Sequence, residues 1–319
     1  MPPRNRQPHH SSASGDVLER LRRAIQRREP LANAAGSATN AWRLCDGSGD
    51  GIPGVFIDSF AGHWAVQTKG VPFPEDLVQT PDLGWQSLWW KRLDQHQKEA
   101  PLCVAGQQAA EVVILENGLQ FRIDFQAGYS LGIFLDQREQ RRVVRQSCRR
   151  GQRVLNLFAY TCAFSVAAAA AGAVAESIDL SRPCLDWGQQ NFLLNGIDPA
   201  GHFFCRGDAF DWLRRLANKQ RRYELVILDP PTFSRNDAGK LWRVERDYAS
   251  LVAAALTVLA PSGRLLCCTN QMGLSAAAFD RLLQEGCALG GRRVIRSKPG
   301  CVPPDFTAPP GLHIRWLDF

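Results

Sequence analysis

Between residues 153 and 318 short apolar runs recur at nearly even intervals, and most are followed by a helical or loop segment. The runs are Arg153–Phe158, Ala175–Leu180, His202–Arg206, Glu224–Asp229, Arg264–Asn270, Arg292–Arg296 and Leu312–Asp318. Such an alternation folds as βαβ units, because parallel strands need a crossover long enough to carry the chain back to the same edge. The last interval is different: Pro299–Pro310 is rich in proline and leaves no room for a long crossover, so the seventh strand is predicted to run antiparallel. Residues 127–319 therefore read as an α/β domain with a Rossmann-like seven-stranded sheet.

Ahead of it, residues 41–126 read as a small α+β domain. Trp42–Leu44 and Val55–Ile57 are predicted strands around the turn-rich GSGDGIPG, and His63–Thr68 is a third. Trp85, Leu88 and Trp89, spaced i, i+3, i+4, predict a helix over residues 76–98. Glu111–Leu115 and Leu119–Phe125 form a predicted hairpin across Asn117-Gly118, the strongest two-residue hairpin signal. Residues 1–40 read as a basic arm, disordered over 1–15. Within it Asp16 caps a helix to about Arg28 with Leu18, Leu21 and Ile25 on one stripe, and residues 31–40 follow as a linker.

The net charge of +7 is uneven: residues 1–30 hold seven arginines against Asp16, Glu19 and Glu29, an excess of +4. A basic arm on a near-balanced body suits a nucleic-acid partner, and equally a solubilising tail. No apolar run approaches the ~20 residues a membrane helix needs, and the basic, polar start lacks a secretory signal. Ten cysteines without a C-x-x-C pair argue against a metal cluster or redox motif, leaving reduced thiols in a cytoplasmic compartment.

In a doubly wound sheet, ligands bind beyond the carboxyl ends of the strands, so the residues just after each run carry the chemistry. Asp179, followed by Leu180 and Ser181, puts a carboxylate where a ribose diol can donate to it. Asp208 suits the exocyclic amine of an adenine, with Ala209 and Phe210 beside it. The alternative for both aspartates is helix N-capping. After the first run, Asn156, Phe158, Ala159, Tyr160 and Thr161 stand where a G-x-G-x-x-G turn would cradle a pyrophosphate. An adenosine without a pyrophosphate points to S-adenosylmethionine rather than a nicotinamide.

The segments FLDQREQRR (134–142), VLNLFAYTCAFSVAAAAAGA (154–173), SIDLSR (177–182) and LDPPTFS (228–234) resemble the motifs of a bacterial 23S ribosomal RNA methyltransferase family. Its members include cytosine-C5 and guanine-N7 enzymes. GDGIPGVFIDSF (49–60) resembles that family's small domain, and the resemblance spans about residues 40–319. It implies a class I methyltransferase fold and a large-subunit RNA substrate, while the PUA module seen in some members is expected to be absent, since residues 1–40 are too few for it. It also implies site roles. Asp179 and Asp208 would bind ribose and adenine, and Asn156 to Thr161 the methionine end. Phe134, Asp136 and Arg138 join the cofactor-binding set. Asp229 and the Pro230-Pro231 backbone would lie between sulfonium and target base. Phe233 would stack on a flipped base, the alternative being a core aromatic.

The FLDQR segment opens a helix, where Asp136 and Glu139 fit a capping box. Arg138, Arg141, Arg142, Arg145 and Arg149 share one face of it, either a phosphate track or a solvated face. Methylating cytosine C5 requires a cysteine thiolate, whereas guanine N7 has a free lone pair. The resemblance puts the cytosine branch's cysteine at Asn270, with Cys267 and Cys268 earlier in the strand. A ring nitrogen is therefore the favoured target. Cytosine C5, or a non-catalytic RNA-binding protein of the same fold, are the alternatives.

Overall fold

The computed structural model describes residues 11–94, 100–128, 130–235, 239, 241–307 and 312–319, with backbone alone for 11–15 and 233–235. The chain divides into two compact units. The first comprises Met1–Gly118, Ile123–Leu135 and Pro304–Ala308, the second Leu119–Arg122, Asp136–Pro303 and Pro309–Phe319.

The first unit opens with helix α1 (Ser11–Ala35), followed by β1 (Ala41–Asp46), β2 (Val55–Phe60), β3 (His63–Thr68), β4 (Ser87–Arg92) and β5 (Leu102–Gly106), hydrogen-bonded in sequence order. The strands pair antiparallel except β3 with β4, which are parallel. Residues 76–98 are thus not a helix. Two 3₁₀ turns, Glu75–Gln79 and Pro81–Leu83, lead into β4, and residues 95–98 lie outside the described set. Leu88 and Trp89 sit in a central strand covered on both faces, where a continuous apolar run mimics helical spacing. Trp89 stacks on Phe125 at 5.0 Å.

Helix α1 starts before Asp16 and runs beyond Arg28, through Pro30, into the expected linker. It is no detached arm: Leu21 is buried in one core with Cys45, Ile57, Trp64, Val66 and Leu88. Its charge is spent locally. Arg28 forms a buried ion pair with Asp50 at 2.8 Å, Arg27 reaches the same carboxylate, and Arg20, Arg22 and Arg23 pair with Asp16, Asp82 and Glu19. The expected disorder over residues 1–15 falls on described backbone only for 11–15, which is helical; residues 1–10 lie outside the described set.

Strands β6 (Glu111–Glu116) and β7 (Leu119–Asp124) form the expected hairpin. Asn117 (φ +50°) and Gly118 (φ +76°) are both left-handed, as a type I′ turn demands. The unit boundary passes through this hairpin rather than at residue 126. Asn191 and Asn195, one turn apart in the second unit, accept from the backbone N–H groups of Arg122 and Gln120 at 3.0 and 2.8 Å.

The second unit continues with α2 (Arg138–Ser147), β8 (Arg153–Leu157), α3 (Ala163–Ala170), β9 (Val174–Asp179), α4 (Arg182–Leu194), β10 (Phe203–Arg206), α5 (Ala209–Asn218) and β11 (Tyr223–Leu228). The short strands β12 (Phe233–Arg235) and β13 (Leu241–Arg243) precede α6 (Val244–Leu256), β14 (Leu259–Thr269), α7 (Ala276–Leu289), β15 (Arg296–Pro299) and β16 (His313–Asp318). Among the described residues the main sheet has seven strands in the order β10-β9-β8-β11-β14-β16-β15. The pairings from β10 to β14 are parallel, and β16 enters antiparallel between β14 and β15, as the short Pro-rich connection requires. This is the class I Rossmann-like methyltransferase architecture. The sixth strand lies at 296–299, not 292–296, because its edge position gives it only β16 to register on, with Arg296 opposite Asp318. Leu155, Leu157, Val226, Leu228, Tyr248, Leu265 and Phe279 are among the buried residues that fix the sheet against its helices.

Candidate active site

The strand order reverses between β8 and β11, which opens a crevice beyond their carboxyl ends. A cleft lies in this unit, lined by six of the residues singled out from sequence: Phe158, Asp179, Leu180, Asp208, Ala209 and Phe210. Five others complete it: Ile178, Gly207, Leu241, Trp242 and Asp247. Ile178 and Gly207 were legible as chain neighbours of the two aspartates. Leu241, Trp242 and Asp247 come from β13 and the start of α6, a segment with no strand-end position to betray it.

The loop after β8 is held in an unusual backbone. Phe158, Tyr160 and Cys162 alternate at φ +58°, +49° and +60°. Each left-handed L-residue costs about 1–2 kcal/mol, so the surroundings must hold the turn. Backbone bonds from Ala159 N to Ile178 O (3.0 Å) and Cys162 N to Ala159 O (2.8 Å) do so. So do the Tyr160 N–H, which donates to Asp179 Oδ2 (2.8 Å), and Asn191 Nδ2, which donates to Thr161 O (3.0 Å). Asn156 and Thr161 are buried beneath the loop. The Asn156 amide donates to Ser165 Oγ, itself bonded to Ser177 Oγ, so both residues shape the turn from below and lie outside the cleft lining.

Asp179 also accepts from the Ser181 N–H at 2.8 Å. Burial raises its carboxyl above the ordinary range, while the N–H groups of Ser181, Tyr160 and Leu180 oppose that shift. Tyr160 and Ser181 each hold one carboxylate oxygen at 2.8 Å, and with roughly four acceptor positions in all the group keeps capacity for an incoming hydroxyl. Asp208 does cap α5, accepting from Phe210 N (2.9 Å) and Asp211 N (3.3 Å), and it borders the cleft as well. Aromatic walls of Phe158, Phe210 and Trp242, with ring centres 5.9 and 6.3 Å from the indole, fit a flat purine.

At the end of β11, burial and the neighbouring Asp136 carboxylate raise the pKa of Asp229 to about 7, against the opposing pull of Arg141. The Tyr248 hydroxyl lies within hydrogen-bonding distance of Leu228 O and Cys268 O, joining the ends of β11 and β14. Trp242 Nε1 donates to Pro231 O at 2.8 Å, so the cleft wall also holds the Asp-Pro-Pro turn; Pro230 is buried and Pro231 exposed. The arginine stripe is not one solvated face. Arg138 and Arg141 are buried, Arg141 over the Phe164 ring at 5.8 Å, and only Arg149 of the five is fully exposed. No capping box forms either. Gln137 holds the N-cap position without a side-chain capping bond, and Glu139 pairs with Arg142 at 2.7 Å.

Asn270 lies one residue beyond β14 and is exposed, whereas Cys267 and Cys268 are fully buried within it. Burial pushes both thiols far above neutral pH; next in effect is Cys287 for Cys267 and Asp229 for Cys268. Phe134, 43% exposed, belongs to the first unit and is not among the cleft residues. The expected stacking of Phe233 concerns a side chain outside the described set. Among the described residues no cluster of three or more metal-ligating side chains occurs, and no helix is long and apolar enough to cross a membrane.

The sequence profile of the S-adenosylmethionine-dependent methyltransferase family matches residues 92–299. The chain is 32% identical over 316 residues to the ribosomal RNA large subunit methyltransferase I of Aeromonas salmonicida, covering 94% of this chain and 79% of that protein. It is 36% identical over 197 residues to the ribosomal RNA large subunit methyltransferase K of Neisseria meningitidis, covering 61% and 53%. Among solved structures, SMU.776, a candidate methyltransferase in complex with S-adenosylhomocysteine (SAH), superposes with a TM-score of 0.86 at 26% identity, over 98% of this chain and 83% of that one. A cleft with purine-sized aromatic walls and a strand-end carboxylate is what such a cofactor requires. The chain is an S-adenosylmethionine-dependent methyltransferase and belongs to the family of the bacterial large-subunit ribosomal RNA methyltransferases.

Proposed function

We propose that the protein methylates a ring nitrogen of a base in large-subunit ribosomal RNA, with guanine N7 the leading candidate. The observation that carries this reading is at the end of β14. The position where the cytosine-C5 enzymes of the resembling family carry their nucleophile is the exposed Asn270, and the two nearby thiols are buried and held protonated. Without an available thiolate, cytosine C5 is not activated. RNA as substrate follows from the names of the relatives and from the family resemblance.

When bound, S-adenosylmethionine supplies an electrophilic methyl group. The chain's residues hold and orient the reactants. Asp179 accepts from the ribose hydroxyls, Asp208 from the adenine amine, and Phe158, Phe210 and Trp242 enclose the ring. Asp229 and Asn270 sit at the ends of neighbouring strands, where they face the base. With a pKa near 7 the Asp229 carboxyl is present both as acceptor and as O–H donor, and the Asn270 amide offers one of each. Guanine N7 has no proton to remove, so alignment of its lone pair with the methyl group supplies the catalysis. The rigid Pro230-Pro231 turn, tied to Trp242, keeps that alignment.

The test is mass spectrometry of nucleosides from 23S ribosomal RNA of cells with and without the gene, alongside methyl transfer by the purified protein. Loss of 7-methylguanosine on deletion is expected. Loss of 5-methylcytidine instead would overturn the assignment.

A further inference from the structure

The strongest charged feature outside the cleft is at the opposite end of the sheet, where the parallel strands begin. The turn entering β8 carries Arg149 and Arg150, and the turn entering β11 carries Lys219, Arg221 and Arg222; all five are exposed. The two turns lie side by side, because β8 and β11 are hydrogen-bonded neighbours with Val154 opposite Leu225. On the far side of β11, Arg292 donates to the carbonyls of Leu259, Ala260 and Pro261 at the start of β14. Burial lowers the pKa of Arg292, and the nearby Arg222 lowers it further, so like charges crowd here.

Acidic groups at this end are already engaged. Glu224 accepts from the Arg153 N–H, and Glu176 from the Tyr223 hydroxyl. Among the described residues no carboxylate pairs with Arg149, Arg150, Lys219, Arg221 or Arg222. The contrast with α1 is direct, since each described arginine of that helix has an acidic partner. Arg222 donates to the carbonyls of Arg221 and Thr257 at 3.0 and 3.1 Å, but a carbonyl carries no full counter-charge, and crowded cations without one weaken a fold. They do match a polyanion, and arginine forks suit phosphate oxygens.

We infer that the strand-entry end of the sheet, centred on Arg221 and Arg222, is a second RNA-contacting surface that holds backbone phosphates of the substrate away from the reacting base. Strands of five or six residues separate the two ends by about 15–20 Å, at ~3.3 Å per residue, so only a substrate much larger than one nucleotide engages both. The inference rests on the RNA reading above and adds to it a selection for extended RNA.

The experiment compares the wild type with R221E/R222E and the charge-conserving R221K/R222K. Filter binding to a 23S ribosomal RNA transcript is measured across a salt series, with calorimetry of S-adenosylmethionine binding and steady-state methyl transfer. Charge reversal should weaken RNA binding about tenfold or more and flatten log affinity against log salt by about 1.4–1.8, the value of two lost phosphate contacts. KM for RNA should rise with kcat within about twofold, cofactor affinity should not change, and the lysine pair should keep most of the binding. Unchanged RNA affinity and salt slope in R221E/R222E would sink the inference, even if the wild type methylates the RNA. If the wild type binds the transcript but transfers no methyl group, the proposed function fails, and the binding comparison still decides this surface. Should R221E/R222E lose its melting transition, R149E/R150E on the neighbouring turn carries the same expectation.

Discussion

Gly188, in the middle of α4, faces the strained loop after β8, and replacing it with alanine tests whether that loop controls the cofactor cleft. A Cβ at this position would lie 2.4 Å from Cys162 Sγ and 2.8 Å from Cys162 Cβ, so something must move. Cys162 is buried, at φ +60°, in the turn whose Tyr160 N–H binds Asp179. Two effects oppose each other in Gly188→Ala. Alanine improves helix propensity by about 0.8–1 kcal/mol. Overpacking of a filled site costs about 1–3 kcal/mol, and so close a contact belongs at the upper end. The net is a loss of about 1–2 kcal/mol, read as a melting temperature lower by a few degrees. If Cys162 yields by shifting the loop, the charge-assisted bond from Tyr160 N to Asp179 is disturbed too, and S-adenosylmethionine affinity should fall about tenfold for each 1.4 kcal/mol lost. Cys162→Gly removes both clashing atoms and suits the left-handed backbone. The double variant Gly188→Ala/Cys162→Gly should therefore recover cofactor affinity, with a coupling of about 1–2 kcal/mol in a double-mutant cycle. Calorimetry and thermal melting of the four proteins decide it. Wild-type affinity and melting in Gly188→Ala, or a double variant no better than it, would refute the proposed link between helix, loop and carboxylate.

Asp179→Ala should weaken S-adenosylmethionine binding by about 1–3 kcal/mol by calorimetry, because two ribose hydroxyls lose their acceptor while the protein stays folded. Cys267→Ala/Cys268→Ala should keep methyl transfer within about tenfold, allowing ~1.4 kcal/mol for looser packing; complete loss in a folded, cofactor-binding single variant would restore the cytosine-C5 reading. Trp242→Phe keeps an aromatic wall but loses the bond to Pro231 O, worth about 0.5–1.5 kcal/mol, and should slow methyl transfer severalfold with a smaller effect on cofactor affinity. Asp229 is raised from 3.8 in the unfolded chain to about 7, so its neutral form is favoured by folding. That contribution, at most about 4 kcal/mol, is fully present below the unfolded value and is lost as pH rises through about 7. Denaturant titrations should show wild type losing stability relative to Asp229→Asn between pH 4 and 8, and parallel curves would contradict the buried-carboxyl assignment.

The sequence by itself determined the strand series of the second unit apart from its sixth member, the antiparallel last strand, the Asn117-Gly118 turn and the position of two aspartates at strand ends. Each of these depends on local periodicity or on a residue's own backbone preference, and such signals survive without knowledge of the fold. Tertiary structure decided the rest. Trp85, Leu88 and Trp89 carry helical spacing, yet Leu88 and Trp89 lie in a central strand, because a strand buried on both faces has no alternation to read. The stripe from Arg138 to Arg149 looks uniform in sequence; packing buries Arg138 and Arg141 and leaves Arg149 outside. Leu241, Trp242 and Asp247 reach the cleft only because the chain after Asp229 folds back as the β12–β13 pair, a non-local placement that no window of sequence encodes. Charge shows the same division: the described arginines of α1 have acidic partners, several of them distant in the chain, whereas among the described residues no carboxylate pairs with those entering β8 and β11. Charge can be counted from a sequence, but its neutralisation depends on which groups the fold brings within a few ångströms of one another.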